Sequence, residues 1–206
     1  MKNIKAIIFD LGAVILNINY QNTINAFSKL GVKNASTFYS KKAQDNLFNQ
    51  IETGDITAEK FLTELQKETN NASLNQVSEA WNAMLLDLPE NRLTLIQCLK
   101  KKYSIYLLSN TNTIHIDAFK KKLGKVKWIK FYNLFDKMYL SHEVGLRKPN
   151  AAIFEYILKE QNLQAHEVFF IDDSSEHIEG ANKLGIKTHH LKNKEEIATL
   201  FADRAQ

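Results

Sequence analysis

From residue 89 onward, short apolar runs alternate with amphipathic stretches, and this alternation limits the fold more than any other feature. Strands are predicted over residues 104–108, 137–140, 168–171 and 187–191, and helices over residues 90–101, 113–122, 151–161, 175–184 and 195–201. Strands that alternate with helices form right-handed βαβ units, whose helices cover a parallel sheet. The sequence therefore predicts an α/β fold.

A first strand is predicted near the start of the chain. Ala6 to Phe9 is an unbroken apolar run, which suits a strand buried on both faces, and Asp10 follows it directly. In open α/β sheets the chemistry lies just beyond the carboxyl ends of the strands. Asp10 therefore stands where a catalytic group is expected, although an ordinary strand-terminating aspartate fits this stretch equally well.

Residues 17–88 have a different pattern, with no convincing strand. Apolar residues three and four positions apart predict helices over residues 22–30, 37–50, 57–69 and 73–86, with Thr57 as the N-cap of the third. We predict a core formed by residues 1–16 and 89–206, interrupted by a four-helix segment at residues 17–88.

Composition narrows the class of protein. The 206 residues are 44% hydrophobic, enough for a substantial core, and the net charge of +4 favours small anionic ligands over nucleic acid. No apolar run reaches the roughly 18 residues that a membrane span needs, and no signal segment is recognisable, which predicts a cytoplasmic protein without a membrane partner. Cys98 is predicted to be a buried, inert thiol.

Polar residues also follow the later strands. Ser109 and Asn110 end the second strand, Lys148 follows the third, and Asp172 and Asp173 end the fourth. Each is ambiguous by itself, as a helix cap or a solvated charge. Because the carboxyl ends of parallel strands meet at one edge of a sheet, we expect these residues to converge with Asp10 on one crevice.

Together these residues suit phosphoryl transfer. The Ser109 hydroxyl and the amides after it offer hydrogen bonds to a phosphate, and Lys148 can bridge Asp10 and that phosphate. Asp172 and Asp173, with Asp10 across the crevice, form an oxygen-rich site suited to Mg²⁺. An ionised Asp10 acting as nucleophile implies an aspartyl-phosphate intermediate.

The order of these motifs resembles that of the haloacid dehalogenase superfamily, and residues 17–88 resemble its helical type 1 cap. Closer similarity is to the bacterial α-D-glucose-1-phosphate phosphatase branch and to the phosphatase domain of soluble epoxide hydrolase. The motifs that carry the resemblance are Phe9-Asp10-Leu11-Gly12, Leu108-Ser109-Asn110-Thr111-Asn112, Gly145-Leu146-Arg147-Lys148-Pro149 and Asp172-Asp173 with Ile178-Glu179-Gly180-Ala181-Asn182.

The resemblance implies a Rossmann-like core and a Mg²⁺-dependent phosphatase of a small phosphorylated metabolite, such as a sugar phosphate. It implies that Asp10 is the nucleophile, that Lys148 is the motif lysine beside it, and that Ser109 and Asn110 bind phosphate. The metal ligands that it implies are Asp10, Asp172, Asp173 and the backbone carbonyl of Gly12.

The sequence departs from the family pattern at Gly12, where most phosphatases of the superfamily have an aspartate that acts as general acid and base. We expect turnover to depend steeply on leaving-group basicity. His115 is interpreted as a helix-surface residue, with a role as substitute acid as the alternative. His177 stands where relatives often have Asn or Asp, and it either supports the site or is exposed.

Three further features each have two interpretations. Residues 52–55 are a candidate specificity loop or a solvated turn. Six lysines between positions 120 and 130 are a solvated face, or they attract anionic substrates or surfaces. Trp81 and Trp128 are interpreted as packing residues rather than ligand contacts.

Two other functions compete with the phosphatase. A metal-independent 2-haloacid dehalogenase needs no general acid and so accommodates Gly12, but two carboxylates left without metal beside a third would repel one another. A binding or regulatory protein that retains the site without useful turnover is the non-enzymatic alternative.

Overall fold

A computed structural model describes residues 3–38, 46–192 and 195–204 and confirms the predicted α/β fold. Five strands form one parallel sheet in the order β3-β2-β1-β4-β5. The strands are β1 Ala6–Phe9, β2 Ser104–Ser109, β3 Lys137–Leu140, β4 Val168–Asp172 and β5 Lys187–His190. β1 is central and wholly buried, as its apolar run predicts.

Helices cover both faces of the sheet. They are α6 Glu90–Leu99, α7 Thr113–Tyr132, α8 Ser141–Val144, α9 Ala151–Glu160 and α10 Ser175–Asn182, with 3-10 turns at Ala165–Glu167 and Thr199–Arg204. Successive side chains of β1 point to opposite faces, so Ile7 and Phe9 pack with α6 and α7, whereas Ala6 and Ile8 pack with α9 and α10. Each face therefore has its own apolar core.

The segment between β1 and α6 is helical, as predicted. Its helices are α1 Tyr20–Lys29, α2 Ala35–Phe38, α3 Asn46–Thr53, α4 Ala58–Gln66 and α5 Leu74–Asn82. Phe27, Phe61 and Trp81 belong to a third apolar cluster that holds this segment together. Thr57 caps α4 by accepting a hydrogen bond from the Lys60 N–H, which confirms the predicted N-cap. The helix predicted over residues 37–50 partly falls on residues 39–45, which lie outside the described residues.

The two chain segments that join these helices to the core are hydrogen-bonded to each other. The Asn17 N–H donates to the Asp87 carbonyl at 3.0 Å, the Leu86 N–H donates to the Asn17 carbonyl at 3.0 Å, and Asn17 Nδ2 donates to Asp87 Oδ1 at 3.1 Å. Paired connections of this kind form the neck of an inserted unit. We keep residues 17–88 as the proposed cap segment.

The helix predicted over residues 113–122 is present, and it continues to Tyr132 after a kink at Gly124, whose φ of +72° suits glycine. Two other predictions of local structure were wrong. The helix predicted over residues 195–201 is instead a 3-10 turn that begins at Thr199. Cys98 is exposed, because Ile96 and Leu99 form the inner face of α6. No helix among the described residues is long and apolar enough to cross a membrane.

Candidate active site

The parallel register brings the predicted strand-end residues to one edge of the sheet. Phe9 pairs with Leu107 on β2 and with Ile171 on β4. The next residue, Asp10, donates its backbone N–H to the Ile171 carbonyl at 2.9 Å and therefore lies level with Asp172. The expectation that these side chains converge is met, because Asp172 lies level with Asp10 and Ser109 lies one residue beyond that level.

Lys148 connects two of the carboxylates. Its ammonium donates to Asp10 Oδ1 at 2.5 Å, to Asp172 Oδ2 at 2.6 Å and to the Leu108 carbonyl at 3.0 Å. The side chain is completely buried. Burial alone would lower its pKa, but the charges and hydrogen bonds of the two aspartates raise the pKa of Lys148. The ammonium therefore remains charged at neutral pH, between the two acidic side chains.

Asn110 positions the backbone of Lys148. Its Nδ2 donates to the Lys148 carbonyl at 2.9 Å, and its Oδ1 accepts the Lys148 N–H at 2.9 Å. Both ends of this side-chain amide are thus engaged in holding the lysine. A contribution of Asn110 to phosphate binding would come from its backbone N–H rather than from its side chain.

Ser141 holds the loop after β2 and was not identified from the sequence. It is fully buried, accepts a hydrogen bond from the Thr111 N–H at 2.9 Å, and donates one to the Thr111 carbonyl at 3.1 Å. Asn112 caps α7 by accepting the His115 N–H at 3.0 Å. These bonds fix the loop that carries Ser109, which is itself buried at the end of β2. Ser141 opens α8, a single helical turn too short to show periodicity.

Asp172 is fully buried, and its side chain accepts hydrogen bonds from three of the described residues. Oδ1 accepts from the Ser174 N–H at 2.8 Å and from His177 Nδ1 at 2.9 Å, while Oδ2 accepts from Lys148. Burial alone would raise its pKa, but the charge of Lys148 and the hydrogen bond from His177 lower the pKa of Asp172 to about 2. Of the two interpretations of His177, the supporting role is therefore correct. Asp172 is an ionised anchor for Lys148.

Asp10 and Asp173 differ from Asp172 in that the pKa of each is raised. Burial raises the pKa of Asp10 to about 7, because the loss of water outweighs the charge of Lys148. Burial and the neighbouring charge of Asp172 raise the pKa of Asp173. Both shifts indicate a shortage of positive charge, which a bound cation would supply. In proteins Mg²⁺ needs only one or two carboxylates and keeps several waters, so this donor set fits the ion.

Gly180 lets α10 approach the loop that carries Lys148. A Cβ at this position would lie 2.4 Å from the Pro149 carbonyl oxygen, closer than such atoms can come. Glycine at position 180 of the motif Ile178-Glu179-Gly180-Ala181-Asn182 is therefore explained by the lack of space for a side chain.

Replacing Gly180 by alanine should lower the free energy of unfolding by about 1–3 kcal/mol, because the backbone of Pro149 must move away. Helix propensity alone predicts a change of the opposite sign, a gain of up to about 1 kcal/mol for Gly→Ala. Urea unfolding distinguishes the two effects by sign. Glu179→Ala, on the exposed side of α10, is the matched control, and a stabilised Gly180→Ala variant would contradict the steric argument.

A cavity of about 710 Å³ lies between the cap helices and these strand ends. Its lining residues include Asp10, Ser109 and Asp173 from the strand ends. From the proposed cap segment they include Phe48, Glu52 and Trp81. Arg147, next to Lys148, extends across it to Glu52 at 2.9 Å and also contacts Asn49. The interpretation of Trp81 as packing alone was incomplete, since it also lines the cavity. Trp128 packs against Phe119 and Phe131, as expected.

The interpretation of His115 as a surface residue was wrong. α5 of the cap covers this part of α7, so the imidazole stacks on Trp81 with ring centroids 5.0 Å apart, and Nδ1 lies 2.8 Å from Asn82 Oδ1. Burial lowers the pKa of His115 to about 3. The neutral ring has no ready proton at pH 7, which argues against a role as substitute general acid.

His115 should make the protein sensitive to mild acid. As the pH falls through about 6.5, the unfolded chain takes up a proton that the folded protein excludes, so stability is lost as the pH falls. Between pH 7 and pH 5 this one group should lower the free energy of unfolding by about 2 kcal/mol. Urea unfolding of the wild type and of His115→Phe at both pH values measures the difference. An equal pH dependence in the two proteins would contradict the assignment.

Gly12 borders the nucleophile candidate. A Cβ at this position would lie 3.9 Å from Asp10 Oδ2 and 3.2 Å from the terminal methyl of Ile18. Ile18 follows the first connection to the cap, so an apolar side chain occupies the space beside position 12. An acid at position 12 would have to displace that methyl group.

Comparison with known proteins identifies the family of this chain. Residues 7–190 match the model of the haloacid dehalogenase-like hydrolase family. The chain belongs to this family. D-ribitol-5-phosphate phosphatase from Bacteroides thetaiotaomicron is 31% identical to this haloacid dehalogenase-like hydrolase over 191 residues, which are 92% of this chain and 93% of that protein.

Solved structures give the same result. A haloacid dehalogenase family enzyme from B. thetaiotaomicron, in complex with magnesium and inorganic phosphate, is 35% identical with a TM-score of 0.87, covering 96% of this chain and 99% of that one. A haloacid dehalogenase-like hydrolase from Porphyromonas gingivalis is 28% identical with a TM-score of 0.86, and the match covers 98% of this chain and 97% of that one. The predicted family and fold are therefore confirmed.

Proposed function

We propose that this hydrolase is a Mg²⁺-dependent phosphatase that acts on a small polar phosphomonoester through a phosphorylated Asp10. The observation that carries the proposal is the row Asp10, Lys148 and Asp172, in which one buried ammonium bonds both carboxylates at 2.5 and 2.6 Å. Asp10 lines a cavity large enough for a small metabolite, and Lys148 and Asp172 are buried behind it.

The first step is attack by Asp10 on phosphorus. A carboxylate oxygen of Asp10 forms a bond to phosphorus, and the bond from phosphorus to the ester oxygen breaks, so that the alkoxide leaves with the electron pair and takes a proton from solvent water. Lys148 and the loop at Ser109 offset the negative charge of the phosphoryl oxygens. Water then attacks phosphorus, releasing inorganic phosphate and restoring the Asp10 carboxylate.

Magnesium, when bound, supplies positive charge that offsets the repulsion between Asp10 and the phosphate. The residues that would hold it are Asp10, Asp173 and the backbone carbonyl of Gly12. Because Lys148, His177 and the Ser174 N–H already bond Asp172, we place Asp172 behind these ligands. From there it would act through its hold on Lys148.

Gly12 leaves the departing alcohol without a positioned proton donor, so the rate should depend steeply on the pKa of that alcohol. A positioned general acid typically raises the rate about 10²- to 10⁴-fold. Without it, esters of the more basic alcohols should react slowest, because these leaving groups depend most on protonation. A series of aryl phosphates, followed by single-turnover kinetics, measures the slope of log rate against leaving-group pKa. Equal rates across the series, with chemistry shown to be rate-limiting, would contradict this prediction.

One ion pair in the cavity suits a hydroxylated substrate, although apolar side chains such as Phe48 and Trp81 line much of the cap side. Glu52 and Arg147 form an ion pair at 2.9 Å there, and together they offer acceptors and donors to hydroxyl groups. The relative from B. thetaiotaomicron is named for an open-chain polyol phosphate, whereas the sequence motifs resemble a branch named for an anomeric sugar phosphate. We therefore propose a polyol or sugar phosphate as substrate.

Phosphate release from a panel of esters tests the proposal. The panel comprises ribitol 5-phosphate, glucose 1-phosphate, glucose 6-phosphate, flavin mononucleotide and p-nitrophenyl phosphate, each with Mg²⁺ and with EDTA. We expect release that falls at least about 100-fold in EDTA. Halide release from 2-chloropropionate in EDTA would instead support the dehalogenase. No release of either kind would favour the binding protein.

A further inference from the structure

The second half of α7 presents apolar side chains to solvent. After the kink at Gly124, Val126 is 69% exposed, Ile129 47% and Tyr132 53%. They are three of the five large apolar residues that stand exposed in the described part of the chain. Residues three positions apart lie on neighbouring sites of a helix, so these three side chains form one stripe. We call it the α7 stripe.

Six lysines lie on the same helix as the α7 stripe. Lys120, Lys121, Lys122, Lys125, Lys127 and Lys130 all lie on α7, and no acidic residue occurs from position 118 to position 135. Lys120 is 3.8 Å from Asp117, and Lys122 donates to the Leu85 carbonyl at 2.7 Å. The other four form no ion pair with any described residue. Their charge is therefore available to an external partner.

The charge pattern identifies the kind of partner. A second copy of this chain, docked through the same face, would bring lysines against lysines, which is unfavourable. A stable protein interface needs about 800 Å² on each side, more than eight helical residues provide. An anionic bilayer needs no shape complementarity, and it attracts clusters of four to eight lysines on an amphipathic helix.

We propose that the α7 stripe docks on the surface of a membrane that contains anionic phospholipids. Lys125, Lys127 and Lys130 bind the headgroup phosphates, while Val126 and Ile129 enter the boundary between headgroups and acyl chains. The tyrosine ring of Tyr132 suits the same interfacial depth. The proposal revises the expectation, drawn from sequence alone, of a protein without a membrane partner.

The fold keeps this contact away from the cavity. α7 begins at the active site, where Asn112 caps it and His115 lines the cavity, and it then runs back toward the start of β3. The α7 stripe occupies the far end of that helix. Docking there leaves the cavity open to substrate, so membrane binding and turnover are separable.

Co-sedimentation with vesicles tests the proposal. The full chain is mixed with vesicles of phosphatidylcholine, alone or with about one third phosphatidylglycerol, in about 0.05 M and 0.5 M KCl. We expect binding to the anionic vesicles at low salt, no binding to the neutral ones, and at least a fivefold smaller bound fraction at high salt. Lys125→Glu with Lys130→Glu should abolish binding, and Val126→Ser with Ile129→Ser should reduce it at least threefold.

The matched control is Lys159→Glu with Lys183→Glu. It changes the net charge equally, but Lys159 lies on α9 and Lys183 directly follows α10, and these two helices cover the opposite face of the sheet. This control should bind like the wild type. Equal loss in the control and in the α7 variant would overturn the proposal, as would a wild type that stays in solution with every vesicle. In the latter case an acidic protein surface becomes the candidate partner for the same face.

Discussion

Asp10→Asn should abolish turnover, with a loss of at least about 10⁴ in kcat, the scale seen when a catalytic nucleophile is removed. The amide has almost the shape of the carboxylate but is a far weaker nucleophile, so Asn cannot form the acyl phosphate. Phosphate release with Mg²⁺ measures the loss. Thermal unfolding of the same preparation shows whether the variant is folded.

Trapping the intermediate separates the nucleophile from a merely supporting residue. Acid quenching of the wild type during turnover should leave one phosphoryl group on the peptide that contains Asp10, and none in Asp10→Asn. Asp117→Asn removes an exposed carboxylate from α7 and should retain wild-type turnover. A phosphoryl group on another residue, or turnover retained in Asp10→Asn, would rule out the proposed mechanism.

Lys148→Met should be the second most damaging change, and it should affect both activity and stability. Methionine fills a similar volume but leaves Asp10 and Asp172 buried without their shared cation. Breaking a buried ion pair by removing one partner costs about 3–5 kcal/mol. We expect a similar loss of unfolding free energy in urea, together with a loss of about 10³ in kcat.

The deficit of Lys148→Met should shrink as the pH falls. Without the lysine, burial raises the pKa of both carboxyls above the value in the unfolded chain, so the folded variant is favoured where they are protonated. Urea unfolding at pH 5 and pH 8 in EDTA checks this direction. Lys137→Met is the matched control, because Lys137 pairs with Glu160 at the surface at 2.6 Å and its loss should matter little. Equal deficits in the two variants would contradict the role of Lys148.

The sheet was predictable because burial leaves a simple pattern. An apolar run such as Ala6 to Phe9 has few alternatives to a strand buried on both faces, and strands ending in Asp10, Ser109 and Asp172 must meet if the sheet is parallel. Periodicity failed where elements are short or interrupted. The single turn of α8, with Ser141, and the kink at Gly124 give no repeating signal.

The roles of individual polar groups were less predictable. Asn110 was expected at the phosphate, but its side chain holds the Lys148 backbone. His115 was expected at the surface, but it stacks on Trp81 of the cap. A sequence shows which residues are near a site, but the partner of each atom depends on distances between segments far apart in the chain.

The sequence by itself determined the parallel sheet, the helical segment after the first strand and the identity of the residues at the strand ends. Local hydrophobic patterns and the rule that parallel strands end together are sufficient for that. Only the tertiary structure decided that Lys148 bridges Asp10 and Asp172, that His177 and Ser174 fix Asp172, and that the α7 stripe faces solvent. The reason is physical: hydrogen bonds, pKa shifts and exposure depend on ångström-scale distances that arise only when remote segments pack together.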